Sequence, residues 1–150
     1  MLEQFLEKTE FKDYKDFFEN YKIKVPENFN FGYDVVDYLA EHNPDAKAMI
    51  WCNDNGEELT LTFKQVKERS DRAAAFMMKQ GIKRGDFVML ILQRRYEFWI
   101  TIVALHKIGA SVIPATHMLT TEDIVYRGNA AGIKHVFAVH DREIFNYIEE

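Results

Sequence analysis

Cysteine, glycine and long apolar runs are all scarce in this chain, and each scarcity excludes something. One cysteine, Cys52, in 150 residues rules out an internal disulfide framework and a multi-cysteine metal site. No apolar run approaches the ~18 residues that span a bilayer. The start, Met1-Leu2-Glu3-Gln4-Phe5-Leu6-Glu7-Lys8, lacks the positive region and apolar run of a secretory signal peptide. A basic surplus is missing as well. Lys plus Arg number 19 against 24 Asp plus Glu, for a formal charge of −5, which gives no electrostatic footprint for nucleic acid or an anionic membrane. The seven glycines form neither a G-x-x-x-x-G-K-[ST] loop nor a G-x-G-x-x-G fingerprint. Gly81-Ile82-Lys83-Arg84-Gly85 joins a helix to a strand, the reverse of the order in which a helix N-terminus meets phosphate. No G-x-S-x-G elbow and no Cys/His set with zinc spacing is present, so no metal ligands and no catalytic set are assigned. The expectation is a soluble, cytoplasmic globular unit.

What is abundant is apolar and aromatic. Apolar residues make up 47% and aromatics 14%, with twelve Phe, a composition that argues against disorder. A chain of this size buries roughly two-thirds of its unfolded surface, enough for a self-supporting core.

Residues 2–22 carry apolar positions Leu2, Phe5, Leu6, Phe11, Phe17, Phe18 and Tyr21 at partly helical spacing. Pro26–Phe31 reads as an extended linker. A short helix is expected over 33–42, broken by Asn43-Pro44-Asp45. Ala48–Cys52 and Leu59–Phe63 read as strands, and Asn53-Asp54-Asn55-Gly56 between them predicts a hairpin. Thr62 is placed to cap a helix with Val66, Ser70, Ala73, Ala74, Met77 and Met78 as its core stripe, stopped by Gly81.

The rhythm then becomes strand, helix, strand. Phe87–Leu92 is a continuous apolar run, as in a strand covered on both faces. A helix over 96–108 is expected to turn Phe98, Trp99, Ile102, Val103, Leu105 and Ile108 inward. Ser111–Pro114 is the next strand, Thr120 or Thr121 caps the next helix, and His135–Val139 is the third strand. Asp141 is read as the cap of a final helix with Ile144, Phe145 and Ile148. The fold class expected is α/β in three layers, with a mainly parallel βαβαβ sheet after a β-hairpin and helices.

Ligands of open parallel sheets bind beyond the carboxyl ends of the strands. Those ends carry Gln93-Arg94-Arg95, Ala115-Thr116-His117-Met118 and His140-Asp141-Arg142, a rim suited to anion or nucleotide contact. The alternative is that Arg94, Arg95 and Arg142 are solvated surface charges. Thr116 and His117 either touch a ligand or tether their loop. His106 is read as a structural histidine, His42 as a helix-end cation, and Cys52 as a small core residue.

Several segments together resemble the N-terminal part of the adenylate-forming, AMP-binding enzymes, nearest the medium-chain acyl-CoA synthetases and acetyl-CoA synthetase-like proteins. They are Val25-Pro-Glu-Asn-Phe-Asn-Phe-Gly-Tyr-Asp-Val-Val-Asp37, Ala48-Met-Ile-Trp51, Leu61-Thr-Phe-Lys-Gln-Val66, Gly81-Ile-Lys-Arg-Gly-Asp86, Arg95-Tyr-Glu-Phe-Trp99, Leu105-His-Lys-Ile-Gly-Ala110 running into Ile113-Pro114, and Leu119-Thr-Thr-Glu-Asp-Ile-Val-Tyr-Arg127. The resemblance implies the first subdomain of the acyl-CoA synthetase-like fold over 32–150, preceded by an N-terminal helical segment and linker over 1–31. It also implies an acid–thiol ligase of fatty acid metabolism. In that reaction a carboxylic acid, ATP and magnesium give an acyl-adenylate and pyrophosphate, and CoA then displaces AMP. The family's phosphate loop, magnesium motif and catalytic lysine have no counterpart here, so the chain is expected to be inactive alone and to hold no cofactor tightly, its partner being the remainder of the same polypeptide. By the same resemblance Thr116, His117 and Met118 border the CoA channel. Arg142 is a further CoA-phosphate contact, although the Arg-x-x-Arg pattern of some acetyl-CoA synthetases is absent around it. Chain termination at Tyr147-Ile148-Glu149-Glu150 reads as truncation in mid-helix, and surplus aromatics allow self-association. The alternative is a freestanding α/β ligand-binding or regulatory module.

Overall fold

The computed structural model describes residues 2–140 and 142–149. Its center is a three-stranded parallel sheet of β3 (Phe87–Ile91), β4 (Ser111–Pro114) and β5 (His135–Ala138) in the order β4-β3-β5. β1 (Lys47–Cys52) and β2 (Glu58–Thr62) form a separate antiparallel hairpin. The helices are α1 (Leu2–Phe5), α2 (Tyr14–Asn20), α3 (Tyr38–His42), α4 (Phe63–Lys79), α5 (Glu97–Ile108), α6 (Thr121–Ala131) and α7 (Arg142–Glu149).

Strand alternation explains the three layers. On β3, Val88 and Leu90 pack with Ala74 and Met77 of α4 and Ala104 and Leu105 of α5. Met89 and Ile91 face the other way, onto Leu119, Ile124 of α6 and Ile144 of α7. Because successive side chains of a strand point to opposite faces, an unbroken apolar run is what a central strand between two helical layers requires. Val88, Met89, Leu90 and Ile91 are all fully buried.

Helix starts follow their sequence signals. The Thr62 and Thr120 side chains each accept from the backbone N–H three residues on, and Gln65 and Asp123 return the bond to the cap N–H. The Asp141 cap and the Arg142 side chain lie outside the described residues.

Four expectations are corrected. Pro26–Phe29 closes a turn, Phe29 N–H to the Pro26 carbonyl at 3.1 Å, instead of running extended. The helix expected over 33–42 begins at Phe31, and Phe31–Asp37 is π-helical before α3 continues it. The wide turn accompanies a close approach to α5: a Cβ on Gly32 would lie 2.6 Å from Lys107 Cγ. Asn30 fastens this segment, its side chain accepting from Gly32 N–H at 2.9 Å and donating to the His106 carbonyl at 2.6 Å. Met78 and Trp99, read as inward, are 55% and 58% exposed. Cys52, read as core, is exposed.

The least expected feature of the core is a charged cluster. Lys107, whose side chain is 2% exposed, lies 2.7 Å from Asp37 Oδ1 and donates a hydrogen bond to Asp71 Oδ1 at 2.5 Å. Lys67 reaches Asp37 Oδ2 at 3.2 Å and Asp71 Oδ2 at 2.9 Å. The Lys107–Asp37 contact is one of charge; the hydrogen bond goes to Asp71. Two cations and two carboxylates thus tie the π-helical segment, α4 and α5 together. Burial opposes the charge of Asp71, but the hydrogen bonds from Lys107 and Lys67 outweigh it and hold its pKa below the ordinary carboxylate value.

A carboxylate whose folded pKa lies below its unfolded one stabilises the fold fully above the unfolded value, about 3.9, and loses that contribution as pH falls through the folded one. Urea unfolding between pH 6 and pH 2 is therefore expected to show stability dropping below roughly pH 4, with a shallower drop in Asp71→Asn. Superimposable acid limbs would contradict the pairing.

Candidate functional site at the carboxyl edge of the parallel sheet

The loops after β3 and β4 leave the sheet at its carboxyl edge side by side. Ala115 N–H donates to the Leu90 carbonyl at 2.9 Å, so the second loop departs directly beside the end of β3. Between the loops lies an open cavity of about 640 Å³ lined by Asp54, Gln93, Arg94, Phe98, Pro114 and Ala115, together with Thr116 and His117. Arg94 and His117 supply nitrogen donors suited to a phosphate or carboxylate, and Phe98 and Pro114 supply apolar surface.

The rim residues expected from sequence separate into two sets. Arg94, Thr116 and His117 come together around the cavity, with Gln93 beside them. Met118 is 75% exposed and does not line it. The Met118 N–H donates to Thr116 Oγ1 at 3.3 Å, which turns the loop back toward buried Leu119. His140 stands apart, its ring 5.4 Å from Phe145 on α7. Arg95 is exposed and outside the lining.

Asp54 was not a candidate. It comes from the β1–β2 turn, where Asn53 Oδ1 accepts from the N–H groups of Asn55 and Glu57, both at 3.0 Å, and Gly56 takes φ +78°. The hairpin therefore forms a third wall. No local pattern reports this, because the hairpin reaches the rim through a contact across 43 residues, the Trp51 indole N–H to the Arg94 carbonyl.

A second, more apolar groove of about 660 Å³ lies between the hairpin and α5, lined by residues including Phe31, Met49, Ile50, Trp99 and His106. Burial pushes the His106 pKa down, as it does for a neutral imidazole taken out of water. His42, by contrast, donates from Nδ1 to its own helix at the Tyr38 carbonyl, 2.8 Å away, and stacks on the Tyr38 ring.

Among the described residues no group of three or more His, Cys, Asp and Glu is placed to hold a metal ion. Nor does the sequence contain a glycine-rich phosphate loop. No helix among the described residues is long and apolar enough to cross a membrane.

Fold and cavity together define a three-layer α/β unit with a cavity that opens beyond the ends of parallel strands, where ligands of such sheets bind. The model of the AMP-binding enzyme family matches residues 36–149, and the chain belongs to that family. It is 39% identical over 121 residues to the acyl-coenzyme A synthetase ACSM5, mitochondrial, of Rattus norvegicus, covering 77% of this chain and 21% of that protein. It is 36% identical over 123 residues to the acyl-coenzyme A synthetase ACSM3, mitochondrial, of Homo sapiens, covering 78% and 21%. The solved Brucella canis acyl-CoA synthetase superimposes with a TM-score of 0.74 at 23% identity, over 81% of this chain and 22% of that one. The chain thus spans about a fifth of the length of the curated relatives it matches.

Proposed function

We propose that this chain is the first part of an ATP-dependent acyl-CoA synthetase, residues 32–150 forming part of the adenylating domain and residues 1–31 a leading helical segment. The whole enzyme would join a carboxylic acid to CoA through an acyl-adenylate, using ATP and magnesium held by other segments. Within this chain the cavity at the carboxyl edge is the stretch of CoA channel. The single observation behind this reading is the convergence of Arg94, Thr116 and His117 around one opening in a chain of this family. CoA supplies the thiol that accepts the acyl group. This chain's residues bind and orient it: the Arg94 guanidinium and the His117 imidazole can hydrogen-bond phosphate oxygens, and Thr116 Oγ1 orders the loop that carries His117.

Met118 and Arg142 remain part of this proposal as outer contacts of the same channel, and a cytosolic location goes with it. The relatives named above are mitochondrial, so subcellular fractionation of the native protein decides the compartment.

Since the chain spans about a fifth of the length of its relatives, the isolated chain is expected to give no acid-dependent ATP–pyrophosphate exchange above background. Robust exchange from pure 150-residue protein would contradict the reading.

A further inference from the structure

Trp51 belongs to the hairpin, in a different sheet from the strands that carry the site. Its indole N–H nevertheless donates to the Arg94 carbonyl at 2.7 Å. Its ring meets Tyr96 edge to face, with centroids 5.8 Å apart and planes at 74°. The Arg69 guanidinium of α4 lies over the same tyrosine, 5.6 Å from its centroid. The turn that follows β3 is thus braced by the hairpin and by α4.

That turn needs bracing. Gln93 has φ +53° and is the sole non-glycine residue with positive φ among the described residues. Side chains with a Cβ occupy this region sparsely, and such a conformation persists where its surroundings hold it. Two hydrogen bonds are candidates for the hold. The Arg95 N–H reaches the Leu92 carbonyl at 3.4 Å, long for a backbone bond. The indole bond at 2.7 Å is the stronger of the two. What it holds is cavity lining, because Gln93 and Arg94 line the same cavity as Thr116 and His117.

We propose that Trp51 is a positioning residue for this site: its indole N–H pins the Arg94 carbonyl, maintains the left-handed turn at Gln93 and thereby places the Gln93 and Arg94 side chains for a phosphate-bearing ligand. Trp51 acts through the backbone of Arg94. This rests on the reading of the cavity as CoA channel, and the ligand is the phosphorylated end of CoA.

The test uses isotope-labelled 150-residue chain followed by nuclear magnetic resonance. Trp51→Phe keeps an aromatic ring for Tyr96 and removes the N–H. The expected result is that the amide and Cα signals of residues 93–95 leave their wild-type positions, the Gln93 coupling constant loses its left-handed value, and CoA binds about tenfold more weakly. Gln93→Gly supplies a residue that adopts positive φ freely. Added to Trp51→Phe, it is expected to return the Arg94 and Arg95 amides toward wild type, a rescue that simple loss of hairpin stability would not give. Unmoved signals at 93–95 in folded Trp51→Phe would overturn the proposal. Should that variant not fold, the wild-type Trp51 indole proton decides: slow exchange with solvent supports the bond, and rapid exchange overturns it. A wild-type chain in which CoA leaves the His117 signals unmoved contradicts the CoA reading instead, so the two failures are distinguishable.

Discussion

Leu90→Ala is expected to lower the stability of the chain by about 3 kcal/mol, and its thermal midpoint by roughly 10 °C. Leu90 is fully buried on the middle strand, packed among Val88, Ala104 and Leu105. Removing its isobutyl group takes away transfer free energy and leaves a cavity that helices on both faces hinder from collapsing. Met78→Ala is the control. Met78 belongs to the apolar stripe read on α4, yet it is 55% exposed, so its truncation is expected to change stability by about 0.5 kcal/mol or less. Equal losses in urea titrations of the two variants would contradict the placement of the core.

Lys107→Met is the second large effect, also about 3 kcal/mol. The substitution preserves length and apolar stem but leaves Asp37, itself 8% exposed, without its nearest cation. Lys67 stays within 3.2 Å of Asp37, which keeps the loss below that of a fully orphaned charge. The distinctive expectation is coupling: Asp37→Asn in the Lys107→Met background recovers more than half of the loss, because it removes the uncompensated carboxylate. Additive losses in the double-mutant cycle would mean that Lys107 stabilises the fold through its stem alone.

These two sites also show where sequence reading worked and where it stopped. The alternating and continuous apolar runs located β2 and β3, and the capping threonines marked the starts of α4 at Thr62 and α6 at Thr120, the latter one of two threonines the sequence offered. Such signals are local, so they survive without knowledge of the partner. Lys107 was passed over because a lysine is normally solvated. The available clue was position: it sits four residues after Val103, on the stripe that α5 buries. The π-helical geometry of Phe31–Asp37 left no trace, since seven residues are too few to separate its period from that of an α-helix.

At the candidate site, the strand-end rule named Arg94, Thr116 and His117, which line one cavity because a parallel sheet puts its loops on one edge. It included His140 for the same reason, although that ring turns to Phe145 on α7. It missed Trp51 and Asp54 because nothing in the spacing of a hairpin says which loop it will lean on. Trp99 was misread for a related cause: α5 is apolar nearly all round, and its exposed side borders the hairpin groove.

The central claim is that Arg94, Thr116 and His117 form one CoA-binding surface. Its most direct measurement is a CoA titration of the labelled 150-residue chain in which the His117 imidazole and the Arg94 and Thr116 amides are followed together. The account predicts that all three move along one saturable curve while signals from the apolar groove, such as the Trp99 indole, stay in place. Saturating CoA that leaves His117 and Arg94 unmoved would contradict it.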